Sequence, residues 1–326
     1  MKHHFADVLY RELGHWKMTP NHARHVYSIT HLQAISDQIT IVTIGKNDAN
    51  WQIIPDLPKL EELTLHNPSK EQLATLGDLD KVKRLRLTHC RPSELTQLAR
   101  LANVEELVLE YVSGFSDLSP IAQMPSLRAL HLENLRGVED FGPLSKARQL
   151  RHLSIRGTLD LTQPEQDFAF LATLEKLEAL RLWQIRCLAS SPALIAATRL
   201  KKLKHIGIAT YIFQTIGYAL MEIAHPADDG AKQEPVQDSA SRYLPLPVDD
   251  IRSKLPKDVI KARHPEVVFT YQGRGIMDPE HTYYAFLGKG QRIIPCNYKT
   301  AAQRREQHQA HYDDMLQDAR RLLRPT

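Results

Sequence analysis

The sequence is built on a repeat, and the repeat limits the folds that are open to it. The pattern apolar-x-x-apolar-x-apolar occurs eight times, and its first positions follow one another at steps of 21 to 27 residues. Those first positions are Ile39, Leu60, Val82, Val104, Leu127, Leu150, Leu177 and Leu203. The last two apolar residues of each unit alternate with an outward residue, as in a short strand with one buried face. Because a single unit cannot bury its apolar edge, the units are predicted to stack into a parallel-stranded solenoid.

Apolar residues also recur at every third position in the segment that precedes each strand. Two such sets are Leu73, Leu76 and Leu79, then Leu95, Leu98 and Leu101. A period of three fits a 3₁₀ turn, and the chain must return along the back of the sheet after each strand. The pattern therefore predicts an α/β fold with a curved sheet on the concave face and short helices or 3₁₀ turns on the convex face.

Two segments, 117–132 and 141–150, resemble the leucine-rich repeat family, in the short class of about 22 residues seen in bacterial internalins and a eukaryotic phosphatase-regulator subunit. The resemblance extends over residues 39–209 and implies a leucine-rich repeat solenoid. The family's Asn in the turn after each strand is absent. Its place is taken by Pro68, Cys90, Val112, Leu135, Thr158 and Ile185. We therefore expect irregular turns there.

The chain outside the repeats is predicted to form three further segments. Residues 1–35 have amphipathic spacing and are predicted to form an N-terminal helical cap; residues 36–224 form the array of about eight repeats. Residues 225–250 are polar and predicted to be a flexible loop. Residues 251–326 are predicted to be a C-terminal capping region with a helix, a strand that adds to the array as its ninth, a hairpin turning at Gly288–Gly290 and a terminal helix.

Composition excludes several classes of protein. No apolar run approaches the roughly 18 residues of a membrane span, and the start lacks a signal-peptide core. Three cysteines cannot form a disulfide framework, which favours a reducing, cytoplasmic location. The net charge is +4, and the segment from Ile251 onward carries 14 lysines and arginines against 8 acidic residues. This asymmetry is mild and does not by itself favour nucleic acid.

No recognisable catalytic motif occurs. Gly288-Lys-Gly290 lacks the spacing of a phosphate-binding loop, and Cys296 has no identifiable base. The histidine pairs three residues apart, His22/His25 and His308/His311, lack accompanying metal-ligand motifs. We expect no enzyme activity, no metal and no cofactor.

Candidate binding residues are those that the strands direct to the concave face. They alternate with the buried anchors, and adjacent repeats place them about 4.8 Å apart. The ten partner-binding candidates are Arg84, Arg86, Glu106, Glu110, His131, Glu133, His152, Arg156, Arg181 and Trp183. An exposed Trp beside an Arg is typical of a binding hot spot. The alternative is a surface whose charges pair across strands.

These observations predict a non-enzymatic interaction module that binds a protein or peptide on its concave face, away from membranes. A second hypothesis is nucleic-acid binding by the basic C-terminal region. Its residues would be Arg274, Lys289, Arg292, Lys299, Arg304 and Arg305. A third is a bacterial effector in which the repeats recognise a target. The fold alone does not choose among them.

Overall fold

The structure is a computed structural model, and it describes residues 39–158, 162–188, 193–208, 212–226, 270–272, 275–277, 283–290, 293–295 and 298–324. The predicted N-terminal cap, nearly all of the predicted 225–250 loop and the predicted helix after it lie outside these residues.

One strand from each repeat forms a single parallel sheet. The strands are β1 (Ile41–Gly45), β2 (Glu62–His66), β3 (Arg84–Thr88), β4 (Glu106–Glu110), β5 (Ala129–Glu133), β6 (His152–Arg156), β8 (Ala179–Trp183) and β10 (His205–Ile208). They follow one another in chain order, and the register aligns equivalent residues, so that Leu107 pairs with Leu130 and Leu130 with Leu153. All sixteen strand anchors are at most 2% exposed, which confirms the predicted stacking.

Short helices return the chain along the convex side. The α-helices are α1 (Lys70–Ala74) and α2 (Ser119–Ala122), and the 3₁₀ helices are Trp51–Asp56, Thr75–Asp78, Thr96–Arg100, Gly142–Lys146, Ala169–Thr173 and Ile195–Arg199. The apolar triplets point into the core, as Leu95, Leu98 and Leu101 do. A 3₁₀ helix brings every third residue to the same side, so the predicted period is confirmed.

The turns after β2 to β5 are regular, which corrects the expectation drawn from the missing asparagines. The residue after each of these strands is left-handed, with φ between 47° and 56°. Each donates its N–H to the last carbonyl of the next strand at 2.7 to 3.0 Å, as Asn67 does to Thr88 and His89 to Glu110. The backbone ladder thus continues one residue beyond the sheet and satisfies groups that a side-chain amide would otherwise bind.

A small second ladder accompanies the longer repeats. Strand β7 (Gln163–Glu165) pairs in parallel with β9 (Ile185–Cys187). The buried Gln163 side chain accepts the N–H of Leu135 at 3.0 Å and donates to the carbonyl of Val138 at 2.7 Å. A glutamine side chain from the next repeat therefore binds the backbone groups of this turn, in place of the absent asparagine.

The C-terminal end of the array is covered by two helices. Helix α3 (Thr215–Ala224) packs on the last 3₁₀ helix, and α4 (Ala301–Leu322) packs on α3. Tyr312 on α4 is fully buried and donates its hydroxyl to Glu222 on α3 at 2.7 Å. The terminal helix thus docks on the end of the solenoid, as its spacing predicts.

The remaining strands do not extend the array. Strand β11 (Thr270–Gln272) pairs antiparallel with β12 (Gly275–Met277), so the expected ninth strand is wrong for these residues. Strands β13 (Tyr283–Ala285) and β14 (Ile293–Pro295) form the predicted hairpin around Gly288–Gly290. Within the described residues, no helix combines the length and apolarity needed to cross a bilayer.

Candidate functional site

The ten candidate residues all lie on the concave strand face, but none of them is fully exposed. Five are partly exposed, namely Arg84, Glu106, His152, Arg156 and Arg181. Five are buried, namely Arg86, Glu110, His131, Glu133 and Trp183. The sequence predicted Trp183 to be an exposed anchor beside Arg181, yet its side chain is 5% exposed and packs with the hydrophobic core. Trp183 follows directly after the last strand anchor, where a large ring folds back against apolar neighbours.

Ion pairs across neighbouring strands organise this face. Glu62 on β2 and Arg84 on β3 are partners in register, and Arg84 Nε donates to Glu62 Oε1 at 2.6 Å. A second bond joins Arg84 Nη2 to Glu61 Oε2 at 3.3 Å. Glu62 is almost fully buried, whereas the Arg84 side chain is 19% exposed. The buried carboxylate therefore fixes a partly exposed guanidinium in one orientation.

A buried pair lies beside it. Arg86 on β3 donates both Nε and Nη2 to Oε2 of Glu110 on β4, with the Nε bond at 2.8 Å. Val108 is the register partner of Arg86, so this pair is diagonal. The two side chains are 7% and 8% exposed. A charge buried this far from water needs such a partner.

His131 and Glu133 continue the network on β5. His131 is fully buried, and its Nδ1 lies 2.9 Å from the Ser154 hydroxyl on β6. Its Nε2 lies 3.5 Å from Glu133 Oε2, and Arg156 Nε lies 3.7 Å from the same oxygen.

The environment of Glu133 keeps it ionised. Burial tends to raise the pKa of Glu133, but the contact with His131 and the charge of Arg156 outweigh it. The charge of Arg86 acts in the same direction, and the net effect is a pKa below the ordinary value. Glu133 thus carries its charge at neutral pH beside the Arg156 guanidinium.

Glu110, His131 and Glu133 are the described residues that could hold a metal ion. One ligand atom from each lies within 4.8 Å of the others. However, Arg86 already hydrogen-bonds Glu110, and Arg156 faces Glu133. Two guanidiniums at the carboxylates repel a divalent cation and compete for its ligands. The chemistry of this cluster fits an ion-pair network rather than a metal centre.

Two features on other surfaces escaped the sequence analysis. At the C-terminal ends of the strands, the rings of His66, His89 and Tyr111 form a row with centroids 5.0 and 4.7 Å apart, and Tyr111 is 42% exposed. A groove of about 670 Å³ lies on the same rim and includes Arg91 and Arg136 in its lining. The two arginines stand 45 residues apart in the sequence, at the same position of two repeats. This equivalence could have shown from the sequence that they lie on the same side of the solenoid.

The two cysteines among the described residues, Cys90 and Cys187, belong to the hydrophobic core. Both are buried and form no disulfide with a described residue, and burial raises the pKa of the Cys90 thiol to about 12. A thiol with that pKa is not a nucleophile at neutral pH. Cys296 lies outside the described residues.

The repeat length, one parallel strand in each repeat and 3₁₀ returns together decide the architecture. The fold is a leucine-rich repeat solenoid. Solved structures similar to this solenoid include an internalin (inlF) from Listeria monocytogenes, with 18% identity and a TM-score of 0.40 over 52% of this chain and 47% of that one. Internalin C2 from the same organism has 21% identity and a TM-score of 0.38 over 53% and 72%.

A leucine-rich repeat protein from Leptospira interrogans has 18% identity and a TM-score of 0.40 over 53% of this chain and 44% of that one. This chain thus spans about half the length of two of these three solenoid structures. No family model matches the chain, and no curated protein matches it significantly.

Proposed function

We propose that this chain is a non-enzymatic interaction module that binds a protein or peptide on the concave face of its solenoid. The observation that carries the proposal is a set of partly exposed polar side chains on four strands of that face. They are Arg84, Glu106, His152, Arg156 and Arg181. Neighbouring strands lie about 4.8 Å apart, so a ligand lying across them meets both charge signs within a few residues.

The ion pairs support binding by fixing these side chains in advance. Glu62 holds Arg84, and Glu133 faces Arg156. A guanidinium has five N–H donors, and the bonds from Arg84 to Glu61 and Glu62 use two of them. A side chain already held in one conformation loses less entropy when a partner binds, which favours affinity.

The charge balance indicates the kind of partner. Within the network, Arg84, Arg86 and Arg156 face Glu62, Glu110 and Glu133. A face with no excess of either sign favours a mixed-charge protein surface over a polyanion. The proposed setting is bacterial and cytoplasmic, consistent with two buried cysteines that form no disulfide with a described residue.

Nucleic-acid binding by the basic C-terminal region remains the alternative. A further alternative is a bacterial effector in which the repeats recognise a target. Lys289, Lys299, Arg304 and Arg305 are exposed, and the other two basic candidates lie outside the described residues. Of these four, Arg304 and Arg305 share one exposed helix segment.

The test is a comparative pull-down from the native lysate, with and without nuclease. The bait variant is Arg181→Glu with His152→Glu, and the matched control is Arg100→Glu with Arg148→Glu on the exposed convex side. Arg86 is left intact, because reversing a buried charge would unfold the chain. Far-UV circular dichroism verifies that both variants fold.

We expect a protein that the wild type and the convex control retain and the concave variant loses, with no effect of nuclease. A captured protein that the concave variant retains as well as the control would contradict the proposal. Capture lost with nuclease and indifferent to both variants would favour the basic C-terminal region instead.

A further inference from the structure

The groove on the rim is formed by three consecutive turns, those that follow β3, β4 and β5. We call it the rim groove. Its volume of about 670 Å³ is that of a typical ligand site. Arg91, Ser113 and Arg136 each stand seven residues after the first residue of their strand, and the strands are in register. The three positions therefore follow one another on successive turns, and the spacing of two strands puts the backbones of the two arginines about 10 Å apart.

The floor of the rim groove is built by glycines. Gly114 has φ +96°, and an added Cβ would lie 2.6 Å from the carbonyl oxygen of Pro92. Gly137, one repeat later, has φ +94°, and its Cβ would lie 3.1 Å from the carbonyl oxygen of Phe115. The turns can stack this closely only because these residues have no side chain. The groove is thus a fixed feature of the packing rather than a gap between mobile side chains.

The arginines of the rim groove differ from three of the arginines on the sheet. On the strands, Arg84, Arg86 and Arg156 all face glutamates. Arg91 and Arg136 are both exposed and have no ion-pair partner among the described residues. Guanidiniums recognise carboxylates through paired N–H donors, so two in one groove favour a ligand with more than one acidic group.

The acidic residues of the lining disfavour a simple anion. Glu94 and Asp117 also line the groove. Asp117 accepts hydrogen bonds from the Ser119 side chain and N–H, which lower its pKa and keep it ionised. These carboxylates repel a phosphate but accept hydrogen bonds from N–H donors. The hydroxyls of Ser93 and Ser113 can both donate and accept hydrogen bonds. A peptide supplies side-chain carboxylates for the arginines and main-chain N–H groups for the acids.

We infer that the rim groove binds an extended peptide segment that carries acidic side chains. Acidic residues two to four positions apart in an extended peptide span about 7 to 13 Å, which brackets the arginine spacing. The site is separate from the concave face, so it goes beyond the proposed function and does not depend on it.

The test is fluorescence anisotropy with a labelled peptide of four Glu-Gly repeats and the full chain. The variant is Arg91→Gln with Arg136→Gln, and the matched control is Arg100→Gln with Arg148→Gln, all four being exposed arginines. We expect the rim variant to bind at least about tenfold more weakly and the convex control to bind as the wild type does. The concave variant, Arg181→Glu with His152→Glu, should keep its affinity.

Three further probes identify the occupant: the same peptide with Gln for Glu, inorganic phosphate, and a single-stranded oligothymidylate. Weak binding of all three relative to the acidic peptide is expected. The inference is overturned if the wild type does not bind the acidic peptide, if both double variants lose it equally, or if the Gln peptide binds as well. It is also overturned if phosphate displaces the peptide at millimolar concentration or the oligonucleotide binds more tightly.

Discussion

The Arg86–Glu110 pair offers the sharpest test of the concave network. Arg86→Met leaves a glutamate that is 8% exposed without its guanidinium. Removing one partner of a buried pair destabilises a protein by about 3–5 kcal/mol. A typical domain has about 5–15 kcal/mol of stability in total, so the effect is large.

The distance between two carboxylates gives an independent estimate of the destabilisation. Oxygen atoms of Glu110 and Glu133 lie within 4.8 Å of one another. Two like charges at that distance repel by about 3 kcal/mol at an effective dielectric constant near 20. In the wild type, the charge of Arg86 contributes to the lowered pKa of Glu133, so its removal raises that pKa. The deficit of Arg86→Met should therefore shrink as acid protonates one of the two carboxylates.

The assay is urea unfolding followed by far-UV circular dichroism, on Arg86→Met, Glu110→Leu and the double variant, at neutral pH and near pH 4.5. The double variant replaces the pair by apolar groups and should recover most of the loss. A loss below about 1 kcal/mol for Arg86→Met, or losses that simply add in the double variant, would refute the network as described.

Three other changes test the packing. Leu130→Ala, at a fully buried anchor in mid-array, should cost about 2–5 kcal/mol, and an unchanged melting temperature would contradict the stacked core. In Gly114→Ala, the alanine must adopt φ +96° with its Cβ 2.6 Å from a carbonyl oxygen, so the free energy of unfolding should fall by about 1–3 kcal/mol. The control Gly77→Ala, whose Cβ has no atom within 4 Å, should have little effect. Equal melting temperatures of the two variants would be inconsistent with the rim-groove floor. Burial raises the pKa of Glu165 from 4.5 to about 8, so the folded state holds a proton that the unfolded state releases, and stability falls as pH rises from about 4.5 to 8. In Glu165→Gln, the unfolding free energy measured across this pH range should no longer fall. If it still falls, another group causes the pH dependence.

The repeat units were predictable because their signals are local. Each anchor is identified by spacing within its own repeat, as Leu63 and Leu65 are, and one buried face of a strand requires that spacing. The cross-strand register also followed, since the anchor pattern recurs in every repeat and equivalent anchors pair, as Leu107, Leu130 and Leu153 show. The candidate positions on the concave face could be named for the same reason.

The environment of those positions could not be derived in the same way. Whether Arg86 contacts its register partner or the diagonal Glu110 depends on side-chain conformations on two strands. Whether Trp183 points to solvent or folds back depends on the apolar groups around it. The regular turns were missed because a left-handed residue such as His89 or Tyr111 donates its backbone N–H to the next repeat, a contact that its own sequence position does not reveal.

The solenoid, its parallel sheet and the residues on its concave face were predictable from the repeats, because short-range periodicity decides which side chains are buried. The ion-pair partners, the burial of the Trp183 ring and the groove between the turns of Arg91 and Arg136 became visible in the folded chain. These depend on contacts between residues some 20 to 45 positions apart, where the geometry of neighbouring repeats determines the distance between side chains.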